Sequence, residues 1–156
     1  MIALKHVLVA TDFEDTSEAA LIYGRALART FGASLHLLHV DENKFLRASA
    51  AAPAIVTAAH LRWLNERLTA ADRDELHARA VLEVSDSPAT AIVEYARGEA
   101  IDLIVMGTEG RGTMSQILVG SVAERVVRTA PCPVLTVRHP ERDFVIADSS
   151  ETGGRQ

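Results

Sequence analysis

Three glycines and a serine carry the most suggestive chemical pattern in the chain. Gly107-Thr-Glu-Gly110 is followed, after nine intervening residues, by Gly120-Ser121, a spacing of G-x-x-G-x9-G-S. Glycine lets backbone amides approach an anion closely, and a helix opening at Ser121 adds unpaired N–H groups and the positive end of a dipole. The implied chemistry is phosphate binding. Ser121 has two competing uses, capping the helix or offering its hydroxyl to a phosphate or to Mg2+. The pattern lacks the Gly-Lys-Ser/Thr of a Walker A loop and does not follow the first strand as a dinucleotide fingerprint does. Short βα connections also use glycine for purely structural reasons. On these residues alone, the phosphate cradle and the structural loop both stand.

Other chemistries have less support. The six histidines come with no HExxH-type helix and no Cys/His cluster, and His36 and His39 fall on opposite faces of one strand, so no metal centre is expected. Cys132, the only cysteine, sits between Pro131 and Pro133 and reads as a small buried apolar residue. No G-x-S-x-G elbow occurs and Ser121 has no base evident in the sequence, so no catalytic residue is assigned. Slow Mg2+-assisted hydrolysis by positioning alone stays open. A net charge of -5 with 4% aromatic residues argues against nucleic-acid binding. No segment is long and apolar enough to span a bilayer, and Met1–His6 lacks the features of a signal peptide, so a cytoplasmic protein is expected.

The elements that must position the glycines follow from periodicity. A chain of 156 residues suits one α/β domain, here 1–140, with a polar tail over 141–156. Short apolar runs at 6–10, 35–40, 81–84, 102–106 and 134–137 read as strands. The spacing predicts a first helix that opens with a capping box over Asp15–Glu18, buries Ala19, Ile22, Tyr23, Ala26 and Thr30, and stops at Gly32. Residues 41–52 read as a crossing loop, and Pro53 to about Arg79 as helix with a break near Thr69-Ala70. Ser87-Pro88 starts another helix, with Ile92, Val93 and Ala96 facing inward before Gly98. A second capping box, Ser121–Glu124, opens the last helix. Strands alternating with helices give an open five-stranded parallel sheet with helices on both faces. Ligands of such sheets lie beyond the carboxyl ends of the strands, which singles out Ala10–Asp12 and the segment from Gly107 onward.

The stretches Met106–Gly112 and Gly120–Val137 resemble the C-terminal half of the universal stress protein family, and the similarity extends to His6–Asp12 and Phe31–Val40. The resemblance implies strand order 3-2-1-4-5, homodimers joined through the last strand, and an ATP-binding subgroup whose G-x-x-G-x9-G-S/T motif is complete here. Carried over by position, adenosine contacts fall on Ala10, Thr11, Asp12 and Val40, with Asp12 on the ribose hydroxyls and Met106 flanking the nucleotide. Phosphates fall on Gly107, Gly110, Gly120, Ser121 and the backbone of Val122, with Mg2+ accompanying ATP. Glu109 and Glu14 depart from the subgroup and make the loops more acidic. The function expected is that of an ATP-binding stress-response module. A nucleotide-free dimeric interaction protein and a slow ATP hydrolase are the alternatives.

Overall fold

The computed structural model describes residues 1–108 and 120–138. Their order is β1 (His6–Ala10), α1 (Asp15–Phe31), β2 (Ser34–Asp41), α2 (Asn43–Ala48), α3 (Pro53–Arg67), α4 (Ala70–Leu76), β3 (Arg79–Val84), α5 (Pro88–Gly98), β4 (Leu103–Gly107), α6 (Ser121–Thr129) and β5 (Val134–Val137). The strands form one parallel sheet in the order β3-β2-β1-β4-β5, as expected.

Because side chains alternate across a strand, each central strand feeds two cores. Val7, Val9, Leu35, Leu37 and Val105 pack on one face with Ala20, Leu21 and Ala28 of α1 and Leu64 of α3. Leu8, Ala10, Leu38, Ile104 and Met106 pack on the other with Ile92, Val93 and Ala96 of α5 and Ala123 and Val126 of α6. All of these residues are buried, and the inward face anticipated for α5 is observed.

Several local expectations require correction. The buried stripe of α1 is Thr16, Ser17, Ala20, Leu21, Gly24 and Ala28, while Ile22 and Thr30 are exposed. Small residues face the sheet because the helix lies close to it: a Cβ on Gly24 would overlap Val9 Cγ2. The Asp15–Glu18 capping box is not formed, since Glu14 is the N-cap and makes no side-chain cap bond. Likewise α6 begins at Ser121 with Gly120 as N-cap, which leaves the Ser121 hydroxyl out of the capping role. A capping box does occur at the break seen near Thr69, where Asp72 N donates to Thr69 Oγ1 at 3.0 Å and Thr69 N to Asp72 Oδ2 at 2.9 Å. The stretch read as a crossing loop contains α2, held by buried Leu46. Gly32 ends α1 in the left-handed conformation (φ 64°), and Pro88 opens α5 at its first turn, both as expected.

Candidate functional site

Parallel strands send their carboxyl ends to one edge, and the order β2-β1-β4 puts the reversal of winding between β1 and β4. Ala10 is in register with Met106 across that junction and with Leu38 on its other side. Beyond Ala10 the chain makes a tight turn. Thr11 N donates to Leu38 O (2.9 Å), Phe13 N to Thr11 Oγ1 (3.0 Å), and Glu14 N to Asp12 Oδ1 (3.0 Å). Ser17 Oγ also donates to Asp12 Oδ1 at 2.6 Å and accepts from Asp12 N at 3.1 Å. Asp12 thus sets the entry to α1 through Oδ1, a structural duty that still leaves its second oxygen directed by a fixed turn. Phe13 adopts φ 68°, the left-handed region that costs a residue with a Cβ.

On the β4 side, Gly107 pairs with Val137, and Thr108 N donates to Val137 O at 3.0 Å. The absence of a side chain at Gly107 has a packing cause, because a Cβ there would lie 2.6 Å from Thr16 Oγ1 and 3.0 Å from the Thr16 carbonyl carbon. Gly120 N bonds to Thr108 O, which ties the start of α6 to the end of β4. The first-turn amides of α6 therefore sit at the sheet's carboxyl edge, with Ser121 exposed and Val122 half-buried. Gly110, Glu109 and the tail over 141–156 lie outside the described residues.

The expected site residues converge to a large degree. Ala10 of β1, Val40 of β2, Met106 of β4 and Val122 of α6 join one apolar cluster on the α5–α6 face of the sheet. Thr11 and Asp12 continue directly from Ala10, and Gly120 and Ser121 lead into Val122. Four elements distant in sequence thus supply an apolar floor flanked by a carboxylate and a helix N-terminus.

One grouping was not anticipated. His39 and Asp41, two residues apart on β2, point to the opposite face from Val40 and meet His60 of α3. The i, i+2 spacing on a strand was a legible signal for His39 and Asp41, whereas nothing in the sequence marked His60. The separation of His36 from His39 to opposite faces is as expected: His36 is buried beside Tyr95 and His6. Burial, followed by the nearby Arg79 and His6, lowers its pKa to about 4. Cys132 is half-buried and packs at the margin of the second core, and burial pushes its thiol up.

Comparison with known proteins agrees with this architecture. The model of the universal stress protein family matches residues 3–138. A universal stress protein of Thermus aquaticus is 35% identical over 140 residues, covering 86% of this chain and 98% of the relative. A solved universal stress protein in complex with cAMP is 28% identical with a TM-score of 0.63, covering 88% of this chain and 98% of that one. The universal stress protein of Archaeoglobus fulgidus in complex with dAMP is 25% identical with a TM-score of 0.60, covering 88% and 99%. The parallel sheet in the order 3-2-1-4-5 and the family match over nearly all of the described chain lead to one conclusion: this protein belongs to the universal stress protein family.

Proposed function

We propose that the chain binds an adenine nucleotide, ATP with Mg2+, in the crevice between β1 and β4 and acts as a homodimeric stress-response module of one domain, 1–140, with a polar tail. The observation that carries this reading is the meeting of Ala10, Val40, Met106 and Val122 in one cluster, with Asp12 and the first turn of α6 at its rim. An adenine ring is a flat apolar body that such a floor suits. A carboxylate at Asp12 suits ribose hydroxyls: Oδ1 accepts from Ser17 and Glu14, and in this reading Oδ2 accepts from the sugar. The first-turn amides of Ser121 and Val122, which follow Gly120, suit phosphate oxygens, and the exposed Ser121 hydroxyl, released from capping, suits a phosphate or its Mg2+. Gly107 and Gly110 complete the cradle in this reading. The family neighbours solved with cAMP and dAMP support the adenine class.

Dimerisation through β5 rests on its position at the sheet edge, where Leu135 is exposed and one side of the strand has no neighbouring strand among the described residues.

Mass spectrometry of small molecules released on denaturing the purified protein tests the nucleotide directly. Calorimetry with ATP and AMP, each with and without Mg2+, then compares the parent with Asp12→Asn, which keeps the turn's acceptor and removes the charge. A loss of about tenfold or more for both nucleotides is expected, as for a hydrogen bond to a charged group. No released nucleotide together with no measurable binding would leave the nucleotide-free dimer as the better account.

A further inference from the structure

At the same carboxyl edge, on the sheet face opposite the nucleotide crevice, two imidazoles crowd around one carboxylate oxygen. His39 Nε2 lies 3.0 Å and His60 Nδ1 2.6 Å from Asp41 Oδ1. The three donor atoms lie within 4.8 Å of one another. Asp41 is only 5% exposed, and its other oxygen, Oδ2, is buried without a hydrogen-bond partner among the described residues. A buried carboxylate oxygen left bare is costly, so the group calls for a compensating charge.

The tautomer of His39 sharpens the point. Its Nδ1 is 2.6 Å from the carbonyl oxygen of Thr11, which can only accept, so Nδ1 carries the ring proton. In the neutral ring, Nε2 then presents a lone pair to Asp41 Oδ1, and something positive must lie between them. A proton there satisfies Nε2 and Oδ1 but leaves Oδ2 bare. A divalent ion held by the two imidazoles and the carboxylate through Oδ1 supplies that positive charge and compensates the buried carboxylate as a whole.

From this geometry we propose that His39 Nε2, His60 Nδ1 and the Asp41 carboxylate bind a divalent transition-metal ion of the Zn2+ class. Two imidazoles and one carboxylate form a borderline donor set that suits Zn2+ and ill suits Mg2+. Metal–nitrogen bonds of about 2.0–2.1 Å separate tetrahedral ligands by roughly 3.3 Å, so the contacts of 3.0 and 2.6 Å open by about 0.3 and 0.7 Å on binding. The second shell is in place, because the Thr11 carbonyl fixes the orientation of the His39 ring. Phe13 lies over both imidazoles at ring distances of 4.5 and 5.9 Å and gives the site an apolar cover. His60 is partly exposed on α3 and provides the entry path. A fourth coordination position is left for water or an external ligand. The proposal is independent of the nucleotide reading, since Val40 faces one side of β2 and His39 and Asp41 the other.

Trp63, the only tryptophan, stands 5.2 Å from the His60 ring and reports on the site. Full-length protein stripped with a chelator is titrated with Zn2+, without nucleotide, and followed by Trp63 fluorescence and calorimetry. One saturating equivalent per chain with a change in Trp63 emission is expected, and Mg2+ at the same concentration should leave the emission unchanged. Asp41→Asn and His60→Ala should each weaken Zn2+ binding at least tenfold, while His77→Ala, a change at an exposed histidine, should not. Circular dichroism checks the fold, and if Asp41→Asn unfolds, His60→Ala on the helix surface decides. Absence of a saturable equivalent, or equal affinity in parent and His60→Ala, would overturn the site and leave a proton-linked His–Asp–His network.

Discussion

Acidification from pH 7 to pH 4 forces a proton onto His36, which the fold holds neutral. His36 is 1% exposed, and its Nδ1 receives the Arg79 Nε–H at 3.3 Å and the Tyr95 hydroxyl at 2.7 Å. Arginine only donates, so Nδ1 must keep its lone pair and the ring proton sits on Nε2, toward His6 Nδ1 at 3.4 Å. Protonating Nδ1 would bury a charge, break the Arg79 bond and set two cations side by side, with Glu99 offering only partial relief. Burial, then Arg79 and His6, accordingly bring the pKa down from 6.5 to about 4. A folded-state pKa below the unfolded one means that stability is fully present above pH 6.5 and is lost as pH falls toward 4. Below that the loss levels off. Linkage converts the difference into a loss on the order of 3 kcal/mol between pH 7 and pH 4. Urea denaturation across this range, on the parent and on His36→Gln, isolates the effect, because the carboxylates titrate in both proteins. The stability advantage of the parent over the variant should shrink by about that amount. An advantage that stays constant with pH would refute the reasoning, as would an NMR titration placing the His36 midpoint near 6.5.

Three further outcomes follow from the packing. Gly107→Ala drives a Cβ into Thr16 and should lower stability by about 1–3 kcal/mol in urea titration, whether or not nucleotide is present. Asp72→Ala removes a fully buried carboxylate bound by Arg25 at 2.7 and 2.9 Å and breaks the cap of α4. Although burial raises the Asp72 carboxyl, Arg25 and Thr69 hold it below the usual carboxylate range, so a loss of about 3 kcal/mol or more is expected by the same measurement. Leu135→Lys places a charge on the open edge of β5 and should yield a monomer in sedimentation experiments; an unchanged dimer would move the interface elsewhere.

Strand periodicity and punctuation alone determined the layered fold. Apolar runs such as Leu103–Met106, separated by helices and closed by Gly32 or opened by Pro88, admit little besides a parallel sheet covered on both faces, and resemblance supplied its order. The G-x-x-G-x9-G-S spacing and Asp12 likewise marked the edge where a ligand would lie. Helix faces were less legible. Periodicity favours large apolar residues, but α1 buries Ala20, Gly24 and Ala28 because only small side chains permit its close approach to Val9, a distance set by the sheet. Cap geometry was also decided in three dimensions: Asp12 and Ser17 bond each other across the turn into α1, which displaces the box expected at Asp15–Glu18. The meeting of His39, Asp41 and His60 lay furthest from sequence reach. Alternation along β2 aligns the first two, but only the packing of α3 over the strand brings in the third, since contacts between distant segments follow from how whole faces are buried and not from local spacing.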